Sequence, residues 1–466
     1  MSKTDQFLLI ENAGEAPVEG YTVLGYSSTR NCGNDGVIGQ FGSGSKHAIN
    51  LCLRQGIPVW VYCGNTRLEF GLEKSTVDDG ITESEVYHVV CRKNNASWSR
   101  VGWVLDFGAL DWCDIGMGLR EFVSNAIDRS IREDGGLDSN HISVKIVDDS
   151  DRRAKAGKTR VYVGVNDDVR EYFGQLGKKF LHFSDNPGNA RPQILRKSNS
   201  NEGASIYREG VYVRTIGVSS LFDYNFSADE IKIDECRNSS DYDVRAAVAR
   251  KVGNASPTVL ATIFEAAMAG DEKCLEANLD DYHMFGTWGA VPNETQESNW
   301  KTAWELTAGS AVLCENRHSV EYAERKGYKG RVVPTSIGKA IKRISGVKNV
   351  EQVLTEDELA GRTPRPATAA AITAVDWAWD VLDLAGLLNN KTKPEVFCFQ
   401  ESMKAESLVC GFCNSTGVHF NVEMSDAVTA HLKKVALEEL AHWITGATDN
   451  SRDFQDFLLS AVVALA

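Results

Sequence analysis

Strand-like and helix-like patterns alternate along the first third of the chain. Apolar runs and period-two alternation predict strands at 7–10, 58–107, 141–147 and 159–165. Two other segments, 46–56 and 119–133, place apolar residues at helical spacing and are ended by glycines. Because each of these elements buries one face, together they predict a two-layer α/β unit of roughly 170 residues.

The remaining chain carries shorter α/β patterns. Strands are predicted at 204–216 and 230–235, and helix is predicted at 244–276. Residues 308–336 follow a strand–helix–strand pattern. The segment LAGRTPRPATAA, at 359–370, is predicted to be a linker because it combines prolines, a glycine and small residues. Beyond it the pattern predicts a helix, a strand region and a long final helical region.

Composition narrows the class of protein. Of the 466 residues, 42% are hydrophobic and 24% are charged, which is typical of a soluble globular protein with several domains. The net charge of −14 argues against a surface built mainly to coat nucleic acid, although a local basic patch remains compatible with it. No apolar run has the length of a membrane span, and the N-terminus lacks the pattern of a signal peptide. The 11 scattered cysteines favour reduced thiols, so we expect a cytoplasmic protein.

The predicted helix at 119–133 contains the stretch EFVSNAID. Glu121, Asn125 and Asp128 recur at helical spacing, so they share one face, and the opposite face can pack on a sheet. An amide oxygen is a hard ligand suited to Mg²⁺, and a carboxylate can accept a proton from an attacking water. The trio therefore indicates nucleotide hydrolysis, with a solvated helix face as the alternative.

A glycine-rich stretch, IGQFGSGSK, precedes this helix at residues 38–46. Glycines let backbone N–H groups turn inward around phosphates, and a helix that begins near Lys46 presents its positive end there. Lys46 can add its own charge to the phosphates. A glycine loop alone also fits a tight turn, but the loop and the acidic helix together favour a nucleotide site.

Both stretches resemble known motifs. EFVSNAID resembles the asparagine box of the GHKL ATPase superfamily, and IGQFGSGSK resembles its second glycine box, especially in heat-shock chaperones and MORC proteins. LGYSSTR, at 24–30, resembles the lid over ATP, and FLLIENAGEAP, at 7–17, resembles the first glycine box. The resemblance implies that Glu121 polarises the attacking water, that Asn125 holds Mg²⁺ and that Asp128 supports the site. It also implies a set of nucleotide-binding residues in the glycine boxes and lid: Glu11, Gly14, Ser27, Thr29, Arg30, Gly39, Gln40, Phe41, Gly42, Ser43, Gly44 and Lys46.

The order of the motifs differs from that of the family, in which the asparagine box comes first. A circular permutation accounts for the difference, because the termini of a domain commonly lie close together. The resemblance therefore implies an α/β fold, with a two-layer, circularly permuted Bergerat-type ATP-binding sandwich at 1–175. A transducer-like α/β domain at 176–275, a small α/β segment at 276–358 and a zincin-like domain at 359–466 would follow it.

Two acidic residues compete for the contact with adenine. Glu11 stands where the family has an aspartate, whereas Asp167 ends the strand that follows the asparagine-box helix. We favour Glu11, because the lid and the second glycine box follow it at family-like spacing.

A transducer domain in chaperone, gyrase and MutL relatives lends a cation to the γ-phosphate. By this resemblance the candidates here are Arg208, Arg214 and Arg237, with ordinary surface charges as the alternative.

The C-terminal stretch ALEELAHWITGATDN resembles a degenerate zincin motif. Glu439 and His442 fit H-E-x-x-H, except that Glu438 occupies the first histidine position. VHFNVE, at 418–423, resembles the edge strand above a zincin active site. A Zn²⁺ site of Glu438, His442 and Asp449, with Glu439 as general base, is one interpretation. Because one imidazole is missing, we favour a domain that has lost its zinc and is retained for structure.

The sequence thus predicts an ATP-binding enzyme. We expect slow, Mg²⁺-dependent ATP hydrolysis coupled to a conformational change or to clamping of a homodimer, with a protein or nucleic-acid client and no membrane. A nucleotide-regulated metallopeptidase and a non-hydrolysing ATP-binding scaffold are the alternatives.

Overall fold

The structure is a computed structural model, and the chain forms two compact units, Met1–Lys348 and Asn349–Ala466. It describes residues 5–26, 38–39, 42–78, 80–134, 141–197, 199–270, 273–279, 281–286, 291–325, 327–344, 346–352, 364–388, 391–400, 409–447 and 452–465. The predicted mixed α/β class is confirmed, and most strand pairs are antiparallel.

The first unit contains three sheets and the helices that cover them. Its strands are β1 Gln6–Ala13, β2 Val59–Cys63, β3 Thr66–Asp78, β4 Glu83–Lys93, β5 Ser99–Val104, β6 Ile142–Asp148, β7 Lys158–Gly164, β8 Gln193–Arg196, β9 Gly203–Arg208, β10 Val211–Ser219, β11 Phe222–Phe226, β12 Val312–Cys314 and β13 Gly330–Val332. Its helices are α1 Glu19–Thr22, α2 Gly44–Arg54, α3 Ile115–Asp134, α4 Asp167–Gly174, α5 Leu176–Lys179, α6 Asp241–Gly253, α7 Pro257–Met268, α8 Asp281–Met284, α9 Glu294–Ala308, α10 Arg317–Arg325 and α11 Thr335–Lys342.

A seven-stranded antiparallel sheet, in the order β5-β4-β3-β2-β7-β1-β6, organises the N-terminal half of this unit. Helices α2 and α3 pack on the face that carries Leu8 and Ile10 of β1. The opposite face carries a smaller, largely aromatic cluster of Phe7, Leu9, Tyr62 and Tyr162. Since strand residues alternate between faces, β1 contributes to both cores.

The C-terminal half of the unit is built on a four-stranded mixed sheet, in the order β10-β9-β11-β8. One hydrophobic core extends from this sheet through α6, α7 and α9 to α11, and includes Phe226, Phe264, Trp300 and Ile341. The boundary predicted between residues 275 and 276 therefore falls inside a single core.

Two predictions for this half need correction. Residues 230–235 form no strand, because the chain turns there and the Ile231 carbonyl accepts a hydrogen bond from Arg208 Nε at 3.2 Å. The helix predicted over 244–276 is divided into α6 and α7, since Pro257 begins a new helix after Ser256.

The second unit is a smaller mixed sheet covered by helices. Its strands are β14 Arg365–Pro366, β15 Val396–Phe399, β16 Gly411–Asn414 and β17 Gly417–Asn421, in the order β14-β15-β17-β16. Its helices are α12 Ala369–Leu384, α13 Ala430–Thr445 and α14 Arg452–Leu465. β17, which was predicted as an edge strand, is a buried interior strand, because it pairs with β15 in parallel and with β16 antiparallel.

Candidate active site

Helix α2 begins at Gly44, within the glycine-rich segment, and its first turn contacts helix α3. A Cβ added at Gly44 would overlap the Oε2 atom of Glu121. One turn along each helix, a Cβ on Gly118 would lie 3.3 Å from Ala48 Cα. These two close approaches bring the helices together in antiparallel orientation. A side chain at either glycine would require its neighbour on the other helix to move.

Helix α3 places the predicted trio along the glycine-rich segment. Its apolar residues, including Phe122, lie in the core beneath the sheet. Glu121 meets Gly44 at one end of the segment, and Asp128 meets Ile38 and Gly39 at the other. The sequence-predicted helix face and loop are therefore adjacent in space, although about eighty residues separate them along the chain.

Asp128 binds the backbone at the start of the glycine-rich segment. It is 2% exposed, and its two carboxylate oxygens accept hydrogen bonds from Ile38 N and Gly39 N, both at 2.7 Å. Ionised acceptors make strong bonds to backbone N–H groups, so this contact holds the start of the segment against α3. The N–H of Gly39, which was expected to face phosphates, is used by Asp128 instead.

Glu121 is buried between two guanidinium groups. Its Oε1 accepts from Arg237 Nε at 2.9 Å and lies 3.6 Å from Arg120 Nε. Burial raises the pKa of Glu121, but the charges of Arg237 and Arg120 outweigh burial and hold the pKa below its usual range. The carboxylate is therefore ionised at neutral pH and already has charged partners.

Only one of the three arginines proposed as the reaching cation lies at this site within the described residues. Arg208 donates instead to the carbonyls of Ile231 and Ala228, and Arg214 donates to Ser239 O. Arg237 alone of these three contacts Glu121.

Asn125 lies on α3 between Glu121 and Asp128. It is half-buried, and its amide makes no hydrogen bond to any residue that the structure describes. An amide oxygen is a hard ligand of the kind that Mg²⁺ accepts, and the predicted role of Asn125 in holding Mg²⁺ stays a prediction.

Lys46 holds the glycine-rich segment rather than projecting from it. The side chain is 1% exposed, and its ammonium donates to Gly42 O at 2.8 Å and to Tyr26 O at 3.3 Å. Burial lowers the pKa of Lys46 to about 8.

Five of the predicted nucleotide-binding residues lie outside the described part of the chain. These residues are Ser27, Thr29, Arg30, Gln40 and Phe41.

The two residues predicted to contact adenine lie on different elements, β1 and α4. Glu11 is on the far face of β1, with Phe7 and Leu9, and its Oε2 accepts from Arg160 Nε at 2.6 Å. Asp167 is exposed in the first turn of α4. The side chain of Glu11 leaves the sheet on the side opposite α2 and α3, so Glu11 does not share a face with those helices.

Asn12, the neighbour of Glu11, lies on the opposite face of β1 from Glu11. It is buried and follows Leu8 and Ile10 at period two, so it belongs to the face that α2 and α3 cover. Gly14 ends this strand with a φ of 80°, and its carbonyl accepts from Thr159 Oγ1 at 2.8 Å. Strict alternation along FLLIEN is the sequence signal that would have selected Asn12.

Two residues at the site were missed by sequence reasoning. Arg120 precedes Glu121 and donates from Nη2 to Cys236 O at 3.0 Å. Tyr172 of α4 packs against Gly116, and its buried hydroxyl has no partner among the described residues. No local pattern marks either residue, because both act through contacts with distant segments.

Two of the proposed zinc ligands in the second unit, His442 and Glu438, contact other residues. The Nδ1 atom of His442 lies 2.7 Å from Ala447 O, and its ring stacks on Phe454 with centroids 4.1 Å apart. Glu438 pairs with Lys434 at 3.5 Å, and Asp449 is outside the described residues. Among the described residues, no group of three or more His, Cys, Asp or Glu side chains could hold a metal ion.

No protein-family model matches this chain, and no curated protein matches it. In the described parts of the chain, no helix combines the length and apolar character needed to cross a membrane. Function is therefore inferred from the chemistry of the α2–α3 site.

Proposed function

We propose that the chain binds ATP with Mg²⁺ between α2 and α3 and hydrolyses it slowly. The observation that carries the proposal is the placement of Glu121, Asn125 and Asp128 along the glycine-rich segment at the start of α2. A helix N-terminus favours phosphate, and the buried guanidinium of Arg237 adds positive charge beside it.

The reaction is attack of water on the γ-phosphorus of ATP. The oxygen of the water forms a bond to the γ-phosphorus while Glu121 accepts a proton from that water. The bond from the γ-phosphorus to the β–γ bridging oxygen breaks. The products are ADP and inorganic phosphate. Arg237 stabilises the negative charge on the terminal phosphate. This is the role that the resemblance assigns to a cation from the transducer-like segment.

Asn125 is the residue that would hold Mg²⁺, together with phosphate oxygens and water. Its amide is uncommitted within the described chain, and Mg²⁺ binds through few protein ligands. Bound Mg²⁺ would neutralise charge on the phosphates, while Asp128 and Lys46 keep the glycine-rich segment in shape.

The fold that best accommodates this site is a circularly permuted Bergerat-type sandwich. Its support is the antiparallel sheet with α2 and α3 on one face and the reversed order of the motifs. In such a site Asn12, on the helix-covered face, is better placed than Glu11 to meet adenine. Hydrolysis would then drive a conformational change or a homodimer clamp that acts on a protein or nucleic-acid client.

A non-hydrolysing ATP-binding scaffold is the second candidate function. The observation in its favour is that Glu121 has two guanidinium partners, because a carboxylate paired in this way is a weak base.

Calorimetry and phosphate release on matched variants test the proposal. We expect Glu121→Gln to lower turnover by about a hundredfold or more while nucleotide still binds, because only the proton acceptor is lost. We expect Asn125→Ala to weaken Mg²⁺-nucleotide binding by about tenfold, since a cation ligand is removed. Glu265→Gln, at an exposed position on α7, is the control and should change neither property.

Two results would count against the proposal. Absence of any heat on titration of the native chain with Mg²⁺-ATP would exclude nucleotide binding. Binding without phosphate release would leave the scaffold as the function.

A further inference from the structure

The loop Asp234–Asn238 and helix α3 hold each other by reciprocal contacts. Arg120 on the helix donates to Cys236 O on the loop at 3.0 Å. Arg237 on the loop donates to Glu121 on the helix at 2.9 Å. Each contact joins residues 116 positions apart, so the pair connects the candidate active site to the segment that follows it.

The loop is closed by its own backbone and by one aspartate. Arg237 N donates to Asp234 O at 2.9 Å, and Asn238 N donates to Asp234 Oδ1 at 2.7 Å. Arg237 adopts a φ of 63°, which is costly for a residue with a Cβ. A strained residue of this kind persists only where surrounding contacts impose it, and here the strain aims the guanidinium at Glu121.

The Arg237 guanidinium is only partly satisfied. Its side chain is 5% exposed, yet its Nη1 and Nη2 atoms donate to no acceptor among the described residues. Two guanidinium groups, of Arg120 and Arg237, face the single carboxylate of Glu121, so the cluster has a positive excess. The Nε atom of Arg120 is buried and has no hydrogen-bond partner among the described residues. A buried guanidinium donor without an acceptor is costly, so the cluster favours a bound anion at this point.

We infer, on the basis of the proposed function, that Arg237 exchanges one anion for another. Without nucleotide it pairs with Glu121 and keeps that carboxylate from acting as a base. When ATP binds, the terminal phosphate takes the guanidinium, and Glu121 is released to accept the proton of the attacking water. Arg120 keeps the loop on α3 throughout by its bond to Cys236 O, which makes it a positioning residue.

Charge and geometry favour transfer of the Arg237 guanidinium from Glu121 to the terminal phosphate. A terminal phosphate carries more negative charge than a carboxylate and offers oxygens to both Nη atoms, whereas Glu121 engages Nε. ADP lacks that phosphate and leaves the Glu121–Arg237 pair intact. The loop thus distinguishes ATP from ADP and makes hydrolytic competence depend on the triphosphate.

A double-mutant cycle measured by calorimetry tests the exchange on the full chain. The titrants are a non-hydrolysable ATP analogue and ADP, each with Mg²⁺, and the proteins are native, Glu121→Gln, Arg237→Gln and the double variant. We expect Glu121→Gln to tighten binding of the analogue by about tenfold and to leave ADP affinity unchanged, because the competitor for Arg237 is removed. Arg237→Gln should weaken binding of the analogue alone.

The double variant separates exchange from simple charge repulsion. If Glu121 competes for Arg237, the gain from Glu121→Gln disappears in the Arg237→Gln background. If the gain persists there, Glu121 merely repels the phosphate and the inference is wrong. Native protein that binds neither nucleotide would instead refute the proposed function, so the two failures are distinct.

Arg237→Lys provides a second measurement that leaves Glu121 in place between the two guanidinium groups. Lysine keeps the positive charge but lacks the planar guanidinium that donates paired hydrogen bonds to phosphate. We therefore expect the preference for the analogue over ADP to fall by about tenfold. An unchanged preference would overturn the inference. Circular dichroism and thermal unfolding check that each variant is folded.

Discussion

Lys46 is an ammonium group held inside the protein by carbonyl oxygens alone. Gly42 and Tyr26 accept its hydrogen bonds, and no carboxylate pairs with it within the described residues. A buried charge without a counter-charge lowers stability, and it is retained where an anion is to be bound. Under the proposed function, this positive charge lies beside the segment that would contact phosphate.

The pKa of Lys46 predicts a pH dependence of stability. The pKa falls from 10.5 in the unfolded chain to about 8 in the folded protein, so the unfolded state binds more protons between these values. The stability penalty is complete below pH 8 and is relieved as pH rises toward 10.5. Relative to Lys46→Met, the free energy of unfolding of the native protein should rise by roughly 2–3 kcal/mol between pH 7 and pH 10.

Urea unfolding of both proteins across this range measures the gain. Lys329→Met, at an exposed position, controls for the loss of one positive charge. A difference between native protein and Lys46→Met that stays constant with pH would contradict the assignment of a depressed pKa to Lys46.

Helices α2 and α3 form the element on which the site depends. They approach closely at Gly44 and Gly118, and the acidic residues of α3 then follow the glycine-rich segment. Intrinsic helix propensity would favour alanine at both positions, so the glycines are explained by tertiary contact and not by local preference.

Gly44→Ala tests this contact. The new Cβ would displace the buried carboxylate of Glu121 from Arg237, so we expect a loss of about 2 kcal/mol in the free energy of unfolding and weaker nucleotide binding. Gly174→Ala on α4 is the matched control, because no heavy atom lies within 4 Å of its added Cβ. It should stabilise the chain slightly, by up to about 1 kcal/mol.

Denaturant unfolding and calorimetry measure both effects. Equal behaviour of the two variants would mean that the α2–α3 contact tolerates a side chain, and that Glu121 is not fixed by Gly44.

The whole molecule is divided into two units with separate cores. The last buried member of the large core in the first unit is Val347, and the core of the second unit begins at Ala371. The division between Lys348 and Asn349 lies N-terminal to the predicted linker at 359–370. The candidate ATP site and the Asp234–Asn238 loop both belong to the first unit.

A fragment of residues 1–348 should therefore fold and bind nucleotide without the second unit. We expect a single cooperative unfolding transition and an affinity for Mg²⁺-ATP within about twofold of the full chain, because every residue of the site is present. Calorimetry on the fragment and the full chain compares the two. A loss of binding in a folded fragment would assign part of the site to residues beyond 348.

Local periodicity was sufficient to predict α2, α3 and the polar residues that lie at their junction. Helical spacing places Glu121, Asn125 and Asp128 on one face whatever surrounds them, and glycines mark the backbone that must approach closely. These features depend on neighbours within a few residues, so they can be recognised before the fold is known.

Long-range packing settled the remaining features. Of the three candidate arginines, Arg237 is the one that contacts Glu121. Glu11 faces away from α2 and α3, and β17 lies inside a sheet. Alternation along β1 separates Glu11 from Asn12, but which face the helices cover depends on distant segments. Such outcomes follow from strand pairing and loop closure between residues far apart in the chain, for which no local pattern encodes the partner.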